Sequence, residues 1–191
     1  RNGVLVEDVM MMTFALFPDL HQGDEFAVNV GSNCYFISDV SHLTWLPDCP
    51  YTAGEWGYVN GKGRSTTSEI YNTVDGPVYQ TWMEDITEYK IDAPAGTYEV
   101  ELLMADVSRP ARQQANLLGK GDERASAASK RFDITICGEV VEQNFSPADN
   151  DRYLNACRRR YIVNNNDGCI DIRFTPLQGK PVLSGLKVRR L

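Results

Sequence analysis

After residue 25, apolar side chains return at every second position in short runs, and few chain conformations fit that pattern. Tyr98, Val100 and Leu102 alternate with Glu99 and Glu101. Phe132, Ile134 and Ile136 alternate with Asp133 and Thr135, and Ile170, Ile172 and Phe174 alternate with Asp171 and Arg173. A period of two sends one side of each strand into a core and the other toward water. Clusters of Gly, Pro, Asn and Asp separate the runs at 92–96, 146–151 and 164–168. They supply turn chemistry through left-handed tolerance, a fixed φ, or local side-chain hydrogen bonds. No βαβ rhythm, internal repeat or heptad is present. The pattern predicts an all-β sandwich or barrel with long loops.

A chain of 191 residues is long enough for one well-cored domain of this kind. The formal net charge is -7, which disfavours nucleic acid and anionic membranes as partners and suits neutral ligands, glycans among them. The longest apolar run, Val9 to Phe17, is far short of the ~20 residues that span a bilayer, so no membrane insertion is expected. It also lacks the basic flank and cleavage site of a secretory signal. Within residues 1–25, Met10, Met12, Phe14 and Leu16 would form an exposed patch if left in water. They are expected to pack on the sandwich or on a neighbouring domain. The chain opens on Arg1, as expected of a domain cut from a larger polypeptide.

The five cysteines, Cys34, Cys49, Cys137, Cys157 and Cys169, form no CxxC pair, and His21 and His42 are the only histidines, which argues against zinc. Cys34 and Cys49 flank one loop and could bridge; otherwise these thiols read as small packing residues. No cofactor is implied. The oxygen-rich turns Asp149–Asp151 and Asn164–Asp167 offer ligands for a structural calcium ion, although turns have this composition for other reasons. Arg158-Arg159-Arg160 is a basic run in an acidic protein. On a strand, alternation would turn Arg159 away from its neighbours, with ion pairs to surface acids on both sides. Arg109 to Lys130 is rich in Ala, Ser, Gln and Gly, with a short helix expected over Ala111 to Leu118, and reads as a surface insertion.

Aromatic rings concentrate between Trp45 and Tyr58, where two Pro and two Gly predict a loop. Sugars present flat C–H faces that stack on rings and hydroxyls that bond to carboxylates. Tyr51, Trp56 and Tyr58, with Asp48 and Glu55, offer both, though such rings can also simply pin a loop to the sandwich. Val78-Tyr79-Gln80-Thr81-Trp82 is a second candidate, carrying Tyr79 and Trp82. Catalysis finds less support. A Ser-His-Asp arrangement would need His21 or His42, and no Gly-x-Ser-x-Gly elbow exists. Among 26 acidic residues some pair will satisfy any spacing, so paired carboxylates carry no signal. Asp106 stands out only because it follows an apolar strand end.

A series of segments is more specific in order than any is alone. It comprises Phe26–Gly31, Trp45–Asp48, Tyr79-Gln80-Thr81, Gly96–Leu102, Lys130–Ile134, Asp167–Phe174 and Gly179–Leu186. The series resembles the malectin and malectin-like carbohydrate-binding domains, galactose-binding-like (jelly-roll) β-sandwiches. The resemblance covers residues 26–191 and implies that Tyr79 occupies a sugar-contacting tyrosine position. Ser108 and Arg109 stand where malectin has two rings, and Gln178–Pro181 lacks the family's late acid, so the diglucose specificity of malectin does not transfer. Arg109 joins the candidate sugar contacts. The resemblance implies a non-catalytic module of a larger secreted glycoside hydrolase, for instance a β-galactosidase-like enzyme. It would be extracellular or periplasmic, with a glycan or polysaccharide and the neighbouring catalytic domain as partners. The departures leave a second expectation: a structural domain of such an enzyme with no sugar site of its own.

Overall fold

Alternation along the strands sorts the side chains between two facing sheets. The computed structural model describes residues 21–107, 130–148 and 152–191. Its elements are β1 (Glu25–Asn29), β2 (Phe36–Ile37), β3 (Thr44–Pro47), β4 (Trp56–Tyr58), β5 (Lys62–Ser65), a helical turn α1 (Gly76–Tyr79), β6 (Thr81–Glu84), β7 (Glu88–Asp92), β8 (Gly96–Met104), β9 (Arg131–Ile136), β10 (Glu139–Phe145), β11 (Cys157–Asn165), β12 (Cys169–Gln178), β13 (Val182–Leu183) and β14 (Gly185–Arg190). A six-stranded sheet runs β11-β8-β14-β1-β3-β2, a five-stranded sheet runs β10-β9-β12-β7-β4, and a small third sheet runs β13-β6-β5. Among these pairings only β1 with β3 is parallel. The result is the all-β sandwich that the alternation predicts.

Tyr98, Val100 and Leu102 of β8 and Leu186 and Val188 of β14 meet Ile134 and Ile136 of β9 and Ile170 and Ile172 of β12 in one buried core. Phe132 sits edge-on to Phe145 and Phe174 at centroid distances of 5.5 and 6.0 Å, the arrangement that ring quadrupoles favour. Arg158 and Arg160 of β11 pair with Glu101 and Glu99 on one face, while Arg159 turns to Glu142 on the other, as alternation requires.

Two expectations are corrected. The stretch from Trp45 to Tyr58 is not all loop: Trp45 lies in β3, and Trp56 and Tyr58 lie in β4, which pairs with β7. Gly57 permits this, since a Cβ there would lie 2.3 Å from the Cys49 carbonyl oxygen. The outer face of β8 also does not meet water throughout. Glu101 and Leu103 are 2% and 4% exposed. A second apolar cluster covers this face, with Ile70, Val78 and Tyr79 lying over Ala27, Trp45 and Leu103. Gly185 lets it settle, because a Cβ would stand 2.7 Å from Val78 Cγ1 and 3.2 Å from the Trp45 ring.

All five cysteines are free thiols, so Cys34 and Cys49 are not joined; Cys49 Sγ instead donates to the Trp56 carbonyl. The apolar run Val9 to Phe17, the helix expected over Ala111 to Leu118, and Ser108, Arg109 and Asp149–Asp151 lie outside the described residues. Among the described residues no helix is long and apolar enough to cross a membrane, and no group of three or more His, Cys, Asp or Glu could hold a metal ion. The side chains of Asn164 and Asn165 are engaged in turn bonds with Thr97, Ala93 and Cys169.

Candidate functional site

The second cluster does not close the outer face of the six-stranded sheet completely. Beside it lies a cleft of about 880 Å³. Its floor comes from Trp45 of β3, Glu101 and Leu103 of β8 and Lys187 of β14. One wall is the turn Asn72–Asp75 leading into α1 and Tyr79; the other holds Ser146, Arg152 and the start of β11. The walls are tied together at one end. Tyr71 N–H donates to the Leu154 carbonyl at 2.8 Å, Ala156 N–H donates to the Tyr71 carbonyl at 2.9 Å, and the Asn72 side-chain amide donates to Asn155. Asn72 and Leu154 take left-handed φ values of 61° and 58° to make this join; asparagine tolerates that backbone better than most residues. The Ser38 hydroxyl donates to Asp75 and holds the first wall against the β2 turn.

Glu101 is a buried carboxylate, and its strand position explains how that is tolerated. It lies opposite Arg160 on β11 and Lys187 on β14. Its oxygens lie 3.0 Å from Arg158 Nε, 3.5 Å from Arg160 Nη2 and 3.5 Å from Lys187 Nζ. A buried charge needs such partners, since an unpaired one costs several kcal/mol.

Other polar groups around the cleft lack partners. Trp45 and Ser146 are 1% and 5% exposed, yet neither the indole N–H nor the hydroxyl has a hydrogen-bond partner among the described residues. The Tyr79 ring is buried in the second cluster, and its hydroxyl likewise makes no hydrogen bond among those residues. Burial pushes the Tyr79 phenol well above its usual pKa, and the nearby Arg158 guanidinium opposes this only in part. It is therefore a neutral hydroxyl at any physiological pH. Arg152 is exposed and makes no ion pair among the described residues. With Arg159 turned to Glu142 on the other face, the lining holds Arg152, Arg158 and Lys187 against Asp75 and Glu101, a positive balance in a chain of net charge -7.

The residues singled out in the sequence do not converge on one face. Tyr79 alone among them borders this cleft. Trp56 and Tyr58 are half-buried against the main core, with the Trp56 ring 6.4 Å from Phe26. Trp82 is buried in β6. Asp48 Oδ2 accepts Gly31 N–H at 2.8 Å, and Oδ1 accepts the Tyr89 hydroxyl at 2.9 Å and Cys49 N–H at 3.0 Å. Burial outweighs these bonds and raises the Asp48 carboxyl from 3.8 to about 6. The Tyr51 hydroxyl donates to Asp92 at 2.9 Å, and Gly54 N–H donates to the same carboxylate at 2.6 Å. Burial and the Asp92 carboxylate push the Tyr51 phenol to about 12. Asp106 is buried and paired with Lys130 Nζ at 2.6 Å, an architectural role at the end of β8.

Sequence reasoning misses the cleft's Glu101, Ser146 and Arg152 as site residues, and it weighs Trp45 as a ring of the framework. The arginine run at 158–160 was the available signal, read there as surface pairing alone.

The malectin domain family model matches residues 25–185. A β-glucuronidase of Bacteroides uniformis is 45% identical over 88% of this chain, with a TM-score of 0.77. The match spans 18% of the β-glucuronidase, so it corresponds to one part of a much longer protein. The plant receptor-like kinase FER matches 88% of this chain and 42% of its own at 16% identity and a TM-score of 0.62. The extracellular domain of ANXUR2 from Arabidopsis thaliana matches 85% and 47% at 18% identity and 0.59. These two share the fold. None of the curated proteins matches this chain.

Proposed function

The chain belongs to the malectin domain family, and from that premise we propose that it is a non-catalytic carbohydrate-binding module that holds a glycan in the cleft on the outer face of the six-stranded sheet. The observation that carries this reading is the Tyr79 hydroxyl, which borders the cleft without a partner among the described residues. Tyr79 also stands at the position that the family resemblance assigns to a sugar contact. Trp45 and Ser146, buried and equally without partners among those residues, support a site shaped for a polar ligand. Small-ligand sites commonly combine an apolar lining with a few such convergent polar groups.

The module would sit beside the catalytic domain of a larger glycoside hydrolase that works outside the cell. The 45% identity to part of a bacterial β-glucuronidase favours an enzyme of that kind over a β-galactosidase-like one. Its mechanism would be effective concentration: a weak site tethered to a catalyst keeps substrate near without bond chemistry. Trp56, Tyr58 and Trp82 then shape the scaffold.

Affinity electrophoresis in polysaccharide gels, with a glycan array alongside, tests the reading. Retardation on one polysaccharide that is lost in Tyr79→Phe supports it. No retardation on any glycan would leave a structural domain of the parent enzyme as the better account.

A further inference from the structure

The open hydrogen-bonding groups in the cleft are not a balanced set. Its carboxylates are ion-paired or bonded: Glu101 faces Arg158, Arg160 and Lys187, although its Oε1 makes no hydrogen bond among the described residues, and Asp75 Oδ1 accepts the Ser38 hydroxyl. Several of its donors are open. Arg152 makes no ion pair among the described residues. Arg158, with 66% of its side chain exposed, contacts Glu101 through Nε at 3.0 Å. The Trp45 indole can only donate, and it has no acceptor among the described residues. Tyr79 and Ser146 add two hydroxyls.

A neutral sugar presents hydroxyls that both donate and accept, and would want acceptors as well as donors. A lining that offers chiefly donors, two of them guanidinium forks, matches a group that only accepts and carries negative charge. Arg158 strengthens the match, because most of its side chain stays exposed beside its contact with Glu101, and a guanidinium carries five donors in a planar fork.

We propose that the saccharide this cleft takes is acidic, carrying a carboxylate or a sulfate ester that seats between Arg152 and Arg158. The proposal rests on the carbohydrate reading above and sharpens its ligand class. It sets the cleft apart from the rest of the molecule, whose net charge of -7 would repel such a ligand elsewhere.

Calorimetric titration of the 191-residue chain with three oligosaccharides of equal length tests it. One bears glucuronate, one is its carboxyl-reduced neutral counterpart, and one is that neutral compound sulfated. Binding of an acidic probe should be about tenfold tighter than of the neutral one, with the advantage falling as salt is raised. Arg152→Gln should cut that preference severalfold. Arg158→Gln should do the same, and because Arg152 is exposed, its variant keeps the test valid even if loss of Arg158 disturbs Glu101. Preference for the carboxylated or the sulfated probe assigns the acid. Equal binding of neutral and acidic probes, weakened by Tyr79→Phe, would overturn the proposal and leave the carbohydrate reading standing. No binding of any probe would remove both.

Discussion

Two regions of this sandwich gather aromatic rings and carboxylates, and they differ in what those groups still have to offer. In the segment from Asp48 to Tyr58 the Asp48 carboxylate and the Tyr51 phenol are taken: Tyr89 and Gly31 bond to Asp48, Tyr51 and Gly54 to Asp92. In the cleft, the Tyr79, Trp45 and Ser146 donors have no protein partner among the described residues. Buried polar groups are normally satisfied, so a cluster of exceptions needs an explanation, and a ligand is one. Composition alone ranks the first region as the better sugar site. Hydrogen-bond satisfaction reverses the ranking.

The comparison breaks most sharply at Tyr89, the fully buried anchor of the first region. Tyr89→Ala removes a core ring and the bond to Asp48, and unfolding in urea should show a loss of about 3–5 kcal/mol. Glycan retention per folded molecule should be unchanged. A loss of retention without a loss of stability would place ligand contacts in the wrong region.

Next in size is the pH response of that region. Burial raises the Asp48 carboxyl from 3.8 to about 6, so the native state holds its proton more tightly than the unfolded chain does. The contribution is therefore full below the ordinary carboxylate pKa and is lost as pH rises through about 6. The displacement corresponds to up to about 3 kcal/mol. Asp92 runs the other way. Burial would raise it, but Gly54 N–H, the Cys169 thiol and the Tyr51 hydroxyl hold it below its usual value, so its contribution fades as pH falls through that lowered pKa. Urea unfolding of wild type and Asp48→Asn at pH 4, 5, 6 and 7 should give a difference that shifts across that interval. A constant difference would mean that Asp48 ionises normally in the fold.

The cleft should answer in the opposite currency, binding rather than stability. Tyr79→Phe deletes a hydroxyl with no partner among the described residues, so unfolding should move by less than about 0.5 kcal/mol. Retention on the best glycan should fall roughly three- to tenfold, the worth of about one hydrogen bond. A large stability loss with unchanged retention would make Tyr79 a core residue only.

Much of the scaffold was legible in the sequence because strand alternation is a local property. The inward residues of β8, β9 and β12 follow directly from it, and so do the opposed directions of Arg158 and Arg159. The burial of Glu101 was not legible. Its alternation assigns it to water, and only the distant segments at 70–80 and 152–158 cover it. The strand β4 was hidden because Gly57 reads as a loop residue, while its purpose is to let the Cys49 backbone approach. The cleft joins residues from β3, β8, β14 and three connecting segments, and no spacing rule links Trp45, Ser146 and Arg152. Tyr79 could be picked out, through the resemblance of its motif to a family, whereas the absence of a partner for its hydroxyl is visible only in three dimensions.

The smallest expected effect sharpens the contrast from the structural side. The Tyr51 hydroxyl donates to Asp92 at 2.9 and 3.1 Å, and the Lys90 ammonium lies 5.4 Å from the ring centroid. Tyr51→Phe keeps the ring and its packing but removes one of the groups holding the Asp92 carboxylate. The site is only partly buried, so water can replace the lost donor, and the cost at pH 7 should be about 0.5–1 kcal/mol. Lowering the pH should erase that cost, because a protonated Asp92 gains little from the phenol in either variant. Urea unfolding at pH 7 and at successively lower pH, down through the lowered Asp92 pKa, therefore distinguishes a structural hydrogen bond from a sugar contact. The first predicts a stability difference that vanishes in acid with retention intact. A tenfold loss of retention at pH 7 with no change in stability would move Tyr51 to the binding side and dissolve the distinction between the two regions.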